Sequence, residues 1–499
     1  MSAKHGKPMR GLMSTTSSPL FQGRFGRIFR SLPAANYGKT TEESENNLLA
    51  LGTAMSAGFD QPKDGKDDEE SAIPALYTYL GQFIDHDITF DPASSLQMQN
   101  DPDALTDFRT PAFDLDNVYG RGPDDQPYLY AGDNTFLLGE KIAGGTGEAF
   151  DLPRNGARVR RALIGDPRND ENSIVSQLQG IFLRFHNRTI RDNPKMSFQE
   201  AQKSVRFHYQ YMVVNDFLGR IVASKVLQSL RKGDSYDRTK LKFFHWKNEP
   251  YMPVEFSVAA YRLGHSMIRP GYRLNDRVLL PIFPVEPGFP EGLTGFRAMN
   301  PTWGIDWGRF IDIDTRINDG SDAENARRLQ FAYRLDTSIV NPLQKLPGSI
   351  ASDAPASLGQ RNLLRGLRLG LPSGQRVARA MGETPLKDEE ILIGKATGSP
   401  DDVKSISSLG ISAFENNCPL WTYILAEAMR HEEQAILPVT ERTAVKSPRL
   451  GPVGGRIVAE VFLGILFGDN HSYLSLDPSW VPSAGADFKL KDFVAYALG

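Results

Sequence analysis

The chain is predicted to be mainly α, a large single-domain fold with few short strands. Three observations predict this. Apolar residues recur at helical spacing in several long segments. Strand-like alternation is scarce. No repeat of fixed period and no low-complexity block divides the 499 residues. A chain of this length suggests roughly two to four packing units, which a large helical enzyme can merge into one domain. The expected division is a partly disordered N-terminal extension over 1–40 and one folded domain over 41–499.

Composition narrows the class. The chain is 40% hydrophobic and 23% charged, with net charge −3 and a pI near 6.3. A nucleic-acid binder would need a basic excess, so that class is excluded. No apolar run approaches the roughly 20 residues of a membrane span. Met1 to Pro33 has basic residues but no apolar core for a secretory leader. One cysteine, Cys418, excludes intramolecular disulfides and fits a reducing compartment. The expected location is therefore cytoplasmic, with export by a route lacking a cleaved leader as the alternative.

The first element with chemistry runs from Leu80 to Phe90. Ile73-Pro74-Ala75-Leu76 precedes it, with Pro74 suited to a first helical turn. Leu76, Leu80, Phe83, Ile84 and Ile88 keep the helical period and form the packing face. Gln82, Asp85 and His86 sit at i, i+3 and i+4 and share a second face. An amide, a carboxylate and an imidazole converge there, although a polar surface face fits the same spacing.

Next, Thr110, Ala112, Asp114 and Asp116 alternate along an extended loop that ends in Val118-Tyr119-Gly120. A hydroxyl, a backbone carbonyl and two carboxylates on one side are the oxygens a hard cation takes. A solvated acidic turn reads the same way. Gly165 to Asn172 then leads into a strong helix, with Ile174, Val175, Leu178, Ile181, Phe182 and Phe185 in period. Asp166 or Asn169 is the expected cap. Arg168 at this helix start is not explained by the dipole, which prefers anions there. It faces a separate anionic partner or pairs with a neighbouring acid.

Further helices are expected over 204–230, 256–267, 327–343, 362–368, 377–381, 419–430 and 456–466. In the 256–267 segment Arg262 lies one turn before His265, and Gly264 leaves room for a flat group to approach the backbone. A satisfied core histidine is the plainer account of His265 alone.

Taken together, four motifs resemble the animal-type haem peroxidases of the peroxidase–cyclooxygenase superfamily, over roughly residues 40 to 470. They are Gln82-x-x-Asp85-His86-Asp87, the Thr110-x-x-x-Asp114-x-Asp116 loop, Gly165-Asp166-x-Arg168-x-x-Glu171, and Tyr261-Arg262-Leu263-Gly264-His265. The lack of disulfides and leader resembles the bacterial members most. The resemblance implies a haem peroxidase catalytic domain holding haem b and Ca²⁺. His265 would be the proximal iron ligand, its other ring nitrogen held by Asn362, with Arg365 near a propionate. Arg-Asp-His, the family's usual continuation, is absent, since Gly366-Leu367-Arg368 follows.

His86 would then be the distal acid–base, Arg168 the distal cation and Gln82 the holder of a water or halide. Asp85 and Glu171 match carboxylates ester-linked to haem in mammalian relatives. Asp87, Thr110, Ala112, Asp114 and Asp116 match the calcium ligands. The implied reaction reduces hydrogen peroxide and oxidises a small electron donor, a halide, thiocyanate or aromatic compound, through a ferryl intermediate. Asn172 stands where the best chloride oxidiser carries a haem-linked methionine, so bromide, iodide, thiocyanate or aromatic donors are favoured over chloride. The rival within the superfamily is a fatty-acid dioxygenase. Its radical tyrosine lies three residues before the proximal histidine, where this chain has Arg262. Tyr261 is one residue off, about 100° around a helix.

Overall fold

The Leu76–Ile88 helix runs through the middle of the core, and Leu76, Leu80, Phe83, Ile84 and Ile88 are fully buried. The computed structural model describes residues 25–58, 67–89, 111–284, 291–317, 321, 326–348, 351 and 354–499. The Ser173–Asp192 helix packs on this central helix, and the Phe198–Met212 and Leu490–Leu498 helices pack on Ser173–Asp192 in turn. Aromatic rings join them. Phe83 stacks on Phe182 with centroids 4.2 Å apart, and Tyr209 meets Phe83 edge-on at 6.2 Å. Phe185 stacks on Phe493 at 4.0 Å. Such pairs add about 0.5–1.5 kcal/mol each beyond the area they bury.

Strands are few and short, as expected. Among the described residues they form seven two-stranded ladders. The fold is thus helix-rich with minor β content. The described part of residues 1–40 packs on the core. Phe25–Gly26 pairs in parallel with Met252–Pro253, and the Ile28 and Phe29 amides each donate to the buried Glu255 carboxylate at 3.0 Å.

Four expected helices differ in detail. Pro74 does not open a helix but ends the Glu70–Pro74 strand, which pairs with Phe331–Tyr333. Proline is tolerated at such a strand end because no ladder donor is needed there. The same pairing turns the expected 327–343 helix into a strand and a short 3-10 turn, Asn341–Gln344. The 204–230 helix is broken by a π-helical turn, Val213–Phe217, and again at Val222. The π turn sets Phe217 against Gly81, where an added Cβ would lie 3.3 Å from the ring. Finally, 256–267 divides into Val254–Ser257 and a 3-10 helix, Ala260–His265.

Candidate functional site

His86 carries a defined tautomer. Its Nδ1 lies 2.7 Å from Asn169 Oδ1. The Asn169 amide is oriented by Gln179, whose Oε1 accepts from Asn169 Nδ2 at 2.8 Å. Gln179 is oriented in turn by the Asn117 carbonyl, which can only accept from its Nε2. Each step leaves one choice for the next. Asn169 must present oxygen to His86, so Nδ1 holds the proton and the Nε2 lone pair points the other way. Burial and Arg168 push the His86 pKa down to about 4. The ring is neutral above that value.

Arg168 sits in the Pro167–Asp170 3-10 turn, capped by Asp166. Its Nη2 donates to Asp166 Oδ2 at 2.8 Å, His86 O at 2.9 Å and Thr89 O at 2.6 Å. The puzzle of a cation at a helix start resolves here. Arg168 serves the C-terminal end of the Leu76–Ile88 helix, where free carbonyls and the dipole favour positive charge. Asp166 and neighbouring acids hold its own pKa up against burial.

Glu171 completes this side. Its Oε1 accepts from Gln82 Nε2 and lies 3.5 Å from His86 Nε2. Burial raises its pKa to about 7 against the opposing pull of Arg168. The backbone around it is stitched to a second loop. Glu171 O accepts from Gly295 N at 2.8 Å and Asp170 O from Phe296 N at 2.6 Å. Phe296 is held in the left-handed region at φ 55, a strained state for an aromatic residue. A Cβ on Gly295 would fall 1.8 Å from Asp170 O. Gly295→Ala is therefore expected to cost about 2 kcal/mol or more in urea unfolding.

The second half of the site lies on the Ala260–His265 turn. His265 Nδ1 is 2.7 Å from Asn362 Nδ2 on the Leu358–Arg368 helix. With that amide turned so that its oxygen accepts from Nδ1–H, the Nε2 lone pair is available. Among the described residues no group bonds Nε2. Burial and Arg262 push the His265 pKa down to about 3. Arg262 Nη1 is 3.6 Å from Asp85 Oδ2, and the Asp85 charge acts on both His86 and His265. That carboxylate is therefore within electrostatic reach of both imidazoles. Arg365 is one turn beyond Asn362 and half-buried.

The expected cation loop is placed in part. Thr110 lies outside the described residues. Ala112 is buried, and the Asp87 carboxylate accepts from Leu115 N at 3.3 Å, between Asp114 and Asp116. Leu115 is left-handed at φ 62 while fully buried. Among the described residues no group of three or more His, Cys, Asp or Glu side chains is assembled for a metal ion.

The donor set fits a haem. A neutral imidazole with a fixed Nδ1 offers a lone pair for iron. Gly264 beside it faces open space, since an added Cβ would meet nothing within 4 Å. Of the residues singled out in the sequence, the structure brings His86, Arg168, Gln82 and Glu171 together and sets His265 against Asn362. The long helix is capped by Asn172 and not by Asp166 or Asn169; Asn169 orients His86 instead, and Gln179 behind it had no signal in the sequence. Asn172 carried a signal, being an Asn directly before a Ser-led apolar run.

The fold is that of the animal haem peroxidases, helix-rich with few short strands. Residues 97–282 match the family model described as animal haem peroxidase. Peroxidase A from Dictyostelium discoideum superposes with a TM-score of 0.59 at 16% identity, covering 95% of this chain and 94% of that one. A fatty acid alpha-dioxygenase of Arabidopsis thaliana gives 0.51 at 14% identity, over 96% and 76%. In sequence, a peroxidase-like protein of Margaritifera margaritifera is 29% identical over 336 residues, 63% of this chain and 38% of that protein. The chain thus spans well under half the length of that curated relative. Among the described residues no helix is long and apolar enough to cross a membrane.

Proposed function

We propose that this protein is a haem peroxidase that reduces hydrogen peroxide and oxidises a small donor. The observation that carries the reading is the amide relay that leaves His86 Nε2 unprotonated beside Arg168 and Gln82. Haem, when bound through His265, would supply the iron that passes the oxidising equivalents of peroxide to the donor. The chain's residues manage protons and charge. His86 Nε2 takes a proton from one peroxide oxygen and returns it to the departing one. Arg168 stabilises negative charge growing on the departing oxygen. Gln82 donates a hydrogen bond to a bound water or anion.

Asp85 and Glu171 are candidates for ester links to haem, and Asp87, Thr110, Ala112, Asp114 and Asp116 for Ca²⁺ ligands supporting the distal helix. Iodide, bromide, thiocyanate and aromatic compounds are the preferred donors, and the cytoplasm the proposed location. A fatty-acid dioxygenase is the second reading, prompted by the shared fold and by Tyr261, buried with its hydroxyl 3.2 Å from Gly81 O. Arg262, paired with Asp85 where that enzyme class has its radical tyrosine, favours the peroxidase.

The test is the visible spectrum of haem-loaded protein before and after one equivalent of peroxide. A Soret band that shifts rapidly and returns with iodide or a phenol supports the peroxidase. A band indifferent to peroxide, with oxygen uptake on a polyunsaturated fatty acid, transfers the reading to the dioxygenase.

A further inference from the structure

Asn172 is committed at both ends of its side chain. Its Oδ1 accepts from Ile174 N at 3.0 Å and Val175 N at 2.9 Å. These amides open the Ser173–Asp192 helix and have no partner within it. A backbone N–H only donates, so the Asn172 oxygen has to face the helix. Its Nδ2 has to face away, and there it donates to Gln82 Oε1 at 3.1 Å. Gln82 then has only its Nε2 left for the site, and that group donates to Glu171 Oε1. The same oxygen stands 3.5 Å from His86 Nε2.

A glutamine amide in a polar pocket can present either its carbonyl or its NH₂. Nothing in Gln82 itself selects between them. Glu171 Oε1 accepts from the NH₂ at one end, and the helix N-terminus, acting through Asn172, holds the oxygen at the other. We propose that Asn172 is the positioning residue that fixes Gln82 as a hydrogen-bond donor toward the site. The ligand class this favours is a small anion or another lone-pair acceptor. Donor ligands are disfavoured, because the amide oxygen is turned toward Asn172. This rests on the reading of Gln82 as a group of the peroxide side. Cap and relay are separable, because serine caps a helix as well as asparagine does but is too short and lacks the NH₂.

The test uses the full chain with Asn172→Ser, and Asn172→Asp as a second variant that also caps. In haem-free protein with selectively labelled glutamine, the Gln82 side-chain amide protons are followed by hydrogen exchange. In haem-loaded protein, fluoride affinity is read from the absorption change. Asn172→Ser is expected to speed exchange of the Gln82 NH₂ while leaving the thermal midpoint near wild type. Fluoride is expected to bind about three- to tenfold more weakly, the scale of one hydrogen bond to a charged acceptor losing its aim. Combined with Gln82→Ala, Asn172→Ser should weaken fluoride no further, since the two act as one unit. Unchanged Gln82 exchange in both variants, or additive losses in the double variant, would overturn the proposal. Failure of the peroxidase reading looks different. It would appear as wild-type protein that takes up no haem, and the exchange measurement would still decide the role of Asn172.

Discussion

His86→Ala is expected to fold and take up haem, yet react with hydrogen peroxide about 10²- to 10⁴-fold more slowly, the range a positioned general base contributes. The base function depends on one lone pair at Nε2. The Asn117–Gln179–Asn169 relay places it there by leaving Nδ1–H no alternative acceptor. Stopped-flow mixing with peroxide, read at the Soret band, measures the rate. The pH dependence gives a second check. Burial and Arg168 hold the His86 pKa down to about 4. Wild-type rates should therefore fall on acidification through 4, as the lone pair is protonated, well below any change that the neighbouring Glu171 makes near 7. The variant should lack that inflection. A variant as fast as wild type at pH 7 would remove His86 from the mechanism.

The parts of this site legible in sequence are those fixed by local spacing. Gln82, Asp85 and His86 share a face because a helix repeats every 3.6 residues, and the apolar stripe beneath them was long enough to define that helix. What escaped was set by tertiary contact. Asn169 and Gln179 look like ordinary polar residues until the Asn117 carbonyl meets Gln179 across 62 positions of sequence. Their roles are statements about which end of an amide faces where, and no residue pattern carries that. The strand errors have the same origin. Phe331–Tyr333 lies in a stretch that keeps a helical apolar period, and its partner strand, Glu70–Pro74, is far away in sequence. Arg168 is the middle case. Its conflict with the local dipole was visible, but the helix end that it satisfies belongs to another segment.

His265→Gly is expected to abolish stable haem retention, a larger loss than the about 10- to 100-fold that removing a metal-bound histidine's hydrogen-bond partner costs. That smaller loss is expected for Asn362→Ala. The order follows from the bonds each residue makes. His265 offers the one imidazole on the Arg262 side of Asp85 whose Nδ1 is held, by Asn362 at 2.7 Å, while Nε2 is left open among the described residues. Its pKa, pushed down to about 3 by burial and Arg262, keeps the ring neutral above that value. Asn362 only orients the ring and adds electron density through Nδ1. Haem titration followed at the Soret band measures both variants. Added imidazole should restore a histidine-like spectrum to His265→Gly, because the space vacated by the side chain lies beside Gly264, where the backbone is open. Imidazole should do nothing for Asn362→Ala, in which the ligand is still present. A His265→Gly protein that keeps a full Soret band without imidazole would move the iron to another residue, and the charge logic that joins His265 to His86 through Asp85 would lose its purpose.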